Sequence, residues 1–274
     1  ISFDTNIWNN TKTLAYWKYD DSAQLGKDSH TWAIRLEQIR AALNGQVGDR
    51  KLRLGIAGGE WLKMVGNETA RTNFANNVKN VLDKYNMDGV DLDFEWAYYA
   101  SDLTNYSKAI VKLRNVLGKN VFFTVSLHPV SYKISKEAIA AVDFISLQCY
   151  GPSPVRFPVE KYCSDIQMVL KYGIPKEKLV AGVPFYGVTK DNSKKTEAYF
   201  SFVQNGLITS PAENEVNYKG EVYVFDGQDN IRIKTRYAKE QGLKGMMSWD
   251  LATDLPLDNS QSLLKAMIEE LNKE

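Results

Sequence analysis

The residues best suited to chemistry lie in one short run, Tyr85-Asn86-Met87-Asp88-Gly89-Val90-Asp91-Leu92-Asp93-Phe94-Glu95-Trp96. Asp91, Asp93 and Glu95 alternate there with Val90, Leu92 and Phe94. A period of two marks a β-strand, which sends the acids to one face and the apolar residues to the other. At a rise of roughly 3.3 Å per residue, Asp93 and Glu95 stand about 7 Å apart along the strand, with Asp91 one step below. Like charges this close cannot all ionise cheaply, so a proton is shared and one pKa is raised. A carboxylic acid kept protonated in this way near neutral pH can donate to a leaving group. Two plainer readings stand beside this one: an edge strand with a solvated acidic face, and a divalent-cation site. Val90, Leu92 and Phe94 argue for a strand covered on the face opposite the acids. A hard cation would want further oxygen ligands, and no second acidic cluster supplies them.

The segments that must position this row alternate in type. Strands are expected at Lys51–Ala57, Val121–Leu127, Val142–Gly151, Lys178–Pro184 and Gly245–Asp250, besides the acidic run itself. Helices are expected at Thr69–Tyr85, Asp102–Leu117, Ser135–Ala141, Val159–Tyr172, Asp229–Gln241 and Ser260–Leu271, with Gly118 and Gly242 as stops. Upstream, Ile1–Phe3 and Thr13–Tyr19 read as strands and Ser29–Leu43 as a helix. Alternation of this kind predicts a parallel sheet with crossover helices. Counting Ile1–Phe3, there are eight strands, and 274 residues suit an α/β fold of the (β/α)8, or TIM, barrel type. One catalytic domain over residues 1–274 is expected, without a large α+β insertion. The polar, turn-rich stretch 188–227 is expected to hold at most a small hairpin involving Val222–Phe225, leaving a shallow, open cleft. In such barrels the active site lies at the C-terminal ends of the strands. Glu95, Tyr150, Tyr186 and Trp249 all fall at such ends.

The run Asp88-Gly-Val-Asp91-Leu-Asp93-Phe-Glu95 resembles the D-G-x-D-x-D-x-E signature of glycoside hydrolase family 18, the chitinases and their relatives. Other segments agree in order along residues 13–272. Gln148-Cys149-Tyr150 resembles the family's Met/Gln-x-Tyr on the sixth strand. Pro184-Phe185-Tyr186-Gly187 resembles its P-F-Y-G, and Gly245 to Trp249 its G-x-x-x-W. Three positions depart from the pattern: Ile56 stands where S-x-G-G has serine, Gly151 where many relatives carry Asp or Asn, and Val188 where arginine is common. The resemblance implies a TIM barrel with the acids on its fourth strand. It also implies substrate-assisted catalysis, in which the substrate's own 2-acetamido oxygen attacks C1. Glu95 would then be the general acid and base, Asp93 would orient the acetamido N–H, Asp91 would hold and tune Asp93, and Tyr150 would bind the acetyl oxygen. Trp249, Tyr186, Trp61, Trp96 and Gln148 are the expected substrate-binding residues; for Trp61 a packing role in a loop is an equal alternative.

Three functions fit these residues. One is endo-acting hydrolysis of β-1,4-linked N-acetylglucosamine in chitin or chitooligosaccharides. Another is endo-β-N-acetylglucosaminidase action on N-glycans with the same acids. A third is sugar binding without turnover, for which the departures at Ile56 and Gly151 argue and the presence of Glu95 argues against.

Composition narrows the field further. The formal net charge is +1, so there is no electrostatic footprint for nucleic acid. No run of 18 apolar residues occurs, so no membrane span is expected. Two histidines are too few and too scattered for a zinc site, and neither metal nor cofactor is expected. Cys149 and Cys163 are expected as free thiols. The 15 Tyr, 11 Phe and 6 Trp suit a site where flat sugar faces stack on rings. The expected partner is an oligo- or polysaccharide containing N-acetylglucosamine. The expected protein is a monomer, secreted or associated with the cell envelope.

Overall fold

The computed structural model describes residues 39, 41, 51–57 and 61–273. The strands expected at Ile1–Phe3 and Thr13–Tyr19 and nearly all of the helix at 29–43 lie outside the described residues. The chain falls into two compact units, Ile1–Ile145 and Ser146–Glu274.

In the first unit β1 (Arg53–Ala57), β2 (Gly89–Asp93) and β3 (Phe122–Leu127) run parallel, with β2 between the other two. Around them stand α1 (Trp61–Gly66), α2 (Glu68–Lys84), α3 (Ala100–Leu117) and α4 (Lys136–Ala141). The expected alternation holds: Val90, Leu92 and Phe94 are buried, as are Phe74 and Val78 of α2 and Tyr106 and Ile110 of α3. Helix starts follow their caps. The Asn67 side chain accepts from the Ala70 amide at 2.9 Å to start α2, and Ser135 accepts from Ala138 to start α4. Asp102 lies inside the first turn of α3, where its carboxylate accepts from the Tyr99 amide at 3.1 Å. Asp88 ties three strand ends together. Its Oδ2 accepts from the Leu52 amide at 2.7 Å, its amide donates to Leu52 O, and its carbonyl accepts from the Phe122 amide. Gly89 follows because the strands meet so closely here that a Cβ would lie 1.8 Å from the Phe122 carbonyl oxygen. The strand β4 (Phe144–Leu147) begins in this unit and ends in the next.

The second unit contains α5 (Val159–Tyr172), β5 (Leu179–Pro184), β6 (Tyr186–Thr189), β7 (Thr196–Ala198), α6 (Tyr199–Gln204), β8 (Glu215–Tyr218) and β9 (Glu221–Val224). It continues with α7 (Gln228–Glu240), β10 (Gly245–Trp249) and α8 (Leu263–Leu271). β5 and β10 are parallel neighbours, and every residue of β5 is buried. Lys234 and Asp226 form a fully buried ion pair at 2.5 Å, and Lys234 also donates to Phe157 O at 2.7 Å. The last helix begins at Leu263, later than the expected Ser260. Asp254 accepts from Ser262 Oγ and from the amides of Leu263 and Leu264, which sets the start there. Cys149 and Cys163 are free thiols, as expected.

The stretch 188–227 corrects the expectation of a lone hairpin. It holds, with Tyr186 and Gly187, a small antiparallel sheet in the order β7-β6-β9-β8, together with α6. Strands of three or four residues such as Thr196-Glu197-Ala198 show too little alternation to be read from sequence. What holds them is an aromatic cluster: Phe202 lies 5.3 Å from Phe225 and 5.6 Å from Tyr223. Val188, in place of the family's arginine, is fully buried here and pairs with Thr196 and Val224. No helix among the described residues is long and apolar enough to cross a membrane.

Candidate active site

The acid row runs from a half-buried foot to an exposed tip. The Asp91 side chain is 18% exposed, Asp93 is half-buried and Glu95, just beyond the end of β2, is exposed. In register, Asp91 faces Gly55 and Thr124, and Asp93 faces Ala57 and Ser126. Small residues on β1 leave room on the acid face, and hydroxyls on β3 supply donors. Thr124 Oγ1 donates to Asp91 Oδ1 and Ser126 Oγ donates to Asp91 Oδ2 at 2.8 Å. Arg53 Nη1 lies 3.5 Å from Asp91 Oδ1. Burial pushes the Asp91 carboxyl above its ordinary range, against the pull of Thr124, Arg53 and Ser126. The expected cause, repulsion between neighbouring carboxylates, is not what raises Asp91; burial is. The buried Tyr106 phenol is also pushed up, by burial first and then by the charges of Asp91 and Asp93.

Behind the acids, the Phe94 ring locks the end of the strand. It stacks on Trp61 at 5.3 Å and 13° and meets Tyr106 at 5.2 Å and Phe74 at 6.1 Å. Such ring pairs contribute about 0.5–1.5 kcal/mol each beyond the area they bury. This corrects the reading of Trp61 as a sugar-binding wall. It opens α1, is 1% exposed, and its Nε1–H donates to the Glu95 carbonyl at 3.4 Å. Trp61 supports the end of the acid strand from inside the core. Trp96 is half-buried, with its ring 5.2 Å from that of His128, which is itself buried. The next residue is pinned by the Ala97 amide donating to Ser131 Oγ at 3.0 Å. Ile56, at the serine position, is buried on the apolar face in register with Leu92, away from the acids.

In the second unit Tyr150 and Tyr186 come together edge to face, 6.4 Å between centroids. Tyr150 is 6% exposed and its hydroxyl lies 3.4 Å from Met247 Sδ. Gly182 makes room for it, since a Cβ there would lie 2.9 Å from the Tyr150 ring. The Tyr186 hydroxyl donates to the Gly151 carbonyl at 3.3 Å, so the residue that replaces the family's Asp or Asn contributes through its backbone. Gln148 is buried just past the end of β4. Trp249 ends β10 beside Pro184 and is 53% exposed, the disposition a sugar platform needs.

Sequence reasoning missed Arg53, Thr124, Ser126 and Tyr106. Thr124 and Ser126 alternate with the buried Phe123, Val125 and Leu127, so their shared face was readable; that it is the acids' face depends on register, which a sequence does not display.

A row of carboxylates thus rises to an exposed acid at a strand end and is held from behind by an apolar cluster. The family model for glycosyl hydrolases family 18 matches residues 13–254, and the chain belongs to that family. A class V chitinase of Arabidopsis thaliana is 27% identical over 270 residues, covering 77% of this chain and 70% of that protein. The chain spans 40% to 63% of the length of three other curated relatives. Among solved structures, the GH18 chitinase ChiB from the chitin utilization locus of Flavobacterium johnsoniae matches with a TM-score of 0.71 and 26% identity, over 86% of this chain and 79% of that one. A GH18 chitinase from Cycas revoluta, solved with (GlcNAc)3, matches with a TM-score of 0.71 and 19% identity, over 86% and 85%. The fold is accordingly the (β/α)8 barrel, with the small antiparallel sheet added to it.

Proposed function

We propose that this protein is an endo-acting hydrolase of β-1,4-linked N-acetylglucosamine, as in chitin and chitooligosaccharides, and that it retains anomeric configuration through substrate-assisted catalysis. The observation that carries this reading is the row Asp91-Asp93-Glu95 on one strand face, with Glu95 exposed at its tip. Two carboxylates projecting from one side of one strand are poorly placed to flank a glycosidic bond from opposite faces, as the ordinary retaining mechanism requires. They are well placed to serve a substrate that brings its own nucleophile.

Glu95 transfers its proton to the glycosidic oxygen as the C1–O bond breaks and the acetamido oxygen bonds to C1. Asp93 accepts a hydrogen bond from the acetamido N–H and stabilises the oxazolinium cation. Tyr150 takes the role of donor to the acetyl oxygen. Water then attacks C1, Glu95 takes its proton, the C1–acetamido oxygen bond opens, and both proton and acetamido group are restored. Trp249 serves as a sugar platform, with Tyr186, Trp96 and Gln148 as further contacts. A secreted or envelope-associated monomer suits such a substrate.

The test is the stereochemistry and acetamido dependence of the reaction. Proton NMR of fresh hydrolysate from chitotetraose should show the β-anomer first, and cellotetraose, which lacks the acetamido group, should stay intact. Initial α-anomer, or cleavage of both, would contradict the mechanism. Cleavage of a high-mannose glycopeptide with chitotetraose left intact would assign the protein to N-glycans instead. Binding of chitotetraose without cleavage would assign it to sugar recognition.

A further inference from the structure

The acid row has a cation at its foot to which the chemistry above gives no part. Arg53 opens β1 on the acid side of the sheet, two residues before the Gly55 that faces Asp91. Its guanidinium lies 4.9 Å from the centre of the Phe144 ring and 5.8 Å from that of Phe122. Rings at that distance hold a planar cation in place. Arg53 Nη1 donates to Thr124 Oγ1 and lies 3.5 Å from Asp91 Oδ1.

The direction of the hydrogen bonds follows from what each group can do. A guanidinium only donates, and a hydroxyl has one proton. Thr124 Oγ1 accepts from Arg53, so its proton is directed to Asp91 Oδ1. Ser126 Oγ donates to Asp91 Oδ2. Both carboxylate oxygens of Asp91 therefore act as acceptors, which favours its charged form. Burial opposes that charge, and the donors and the cation offset part of its cost. Among the described residues of this unit, the polar groups around Asp91 are Arg53 from β1, Thr124 and Ser126 from β3, Asp93 on β2, and Tyr106 from the apolar side. Ile56 is turned to the core, and Arg53 is the polar side chain that β1 brings to the acid face.

We propose that Arg53, acting through Thr124, is a positioning residue that holds Asp91 as a hydrogen-bond acceptor at the foot of the row, beneath Asp93 and Glu95. This rests on the catalytic reading of the row given above.

The experiment compares wild type with Arg53→Met, Arg53→Lys and Thr124→Val, measuring kcat and KM on an aryl chitobioside across pH. Loss of the cation disfavours the ionised carboxylate, so the acid limb of kcat should move up by about one pH unit in Arg53→Met. KM should stay near its wild-type value. Arg53→Lys should restore the limb, and Thr124→Val should move it in the same direction as Arg53→Met. Activity reduced by one factor at every pH, with the limb unmoved, would overturn the proposal and leave Arg53 a structural residue. If Arg53→Met does not fold, the near-isosteric Thr124→Val carries the comparison alone. If the wild type cleaves nothing, the catalytic reading fails separately. The carboxyl ¹³C titration of Asp91, assigned with Asp91→Asn, then decides: an upward shift in Arg53→Met is expected, and coincident titrations refute the role of Arg53.

Discussion

Asp91 sits at the foot of the acid row with donors on both oxygens, yet burial raises its pKa above the ordinary 3.8. The sign for stability follows from linkage. A group whose folded pKa is raised binds its proton more tightly in the native state. Its contribution is full below the unfolded value and is lost as pH rises through the folded one. Asp91→Asn cannot ionise, so its stability relative to wild type should improve as pH rises from 3.5 to 7.5. Melting curves of both proteins at the two pH values check this; a constant difference would contradict it.

At the scale of elements, the acid strand was legible because its period of two is uninterrupted from Val90 to Glu95 and chain flanks of helical period isolate it. The helix Val159–Tyr172 was legible to the residue, with Gly173 in the left-handed conformation closing it. Trp61 was not, because a tryptophan after a glycine pair reads as loop whether it faces sugar or core. The structure places it at the start of α1, its ring stacked on Phe94, one residue before Glu95. Trp61→Ala should therefore cost about 3–5 kcal/mol of stability, the range for buried aromatic truncations. At a temperature where the variant remains folded, its KM should match wild type. A raised KM with unchanged melting temperature would return Trp61 to the sugar site. The partners of the acids on β3 escaped the sequence for a different reason: Thr124 and Ser126 acquire meaning only through their register with Asp91 and Asp93. The short strands β6 to β9 escaped because each is too brief to show a period.

At the scale of the whole molecule, each unit has its own buried core, and the second also contains a fully buried charge pair. Lys234 donates to Asp226 and to the Phe157 carbonyl, while Asn230 donates to Asp226 at 3.3 Å. Removing one member leaves a charge in the interior without its counter-ion, which costs about 3–5 kcal/mol. Lys234→Met should lose that much in urea unfolding, and adding Asp226→Leu should recover most of it. A single variant as stable as wild type would show the pair to be dispensable. The order of segments along the chain, acid strand, Tyr150, P-F-Y-G and G-x-x-x-W, made the family legible from sequence, and the family match over residues 13–254 agrees.

The proposed function requires Glu95 to protonate the leaving oxygen. The most direct measurement is fluorophore release from aryl chitobioside and chitotrioside by wild type and Glu95→Gln. Glutamine keeps the shape and cannot donate the proton. The account predicts turnover by wild type and a fall in kcat of about 100-fold or more in the variant, the scale of lost general acid catalysis, with chitooligosaccharide binding retained. Equal turnover by both proteins would contradict it.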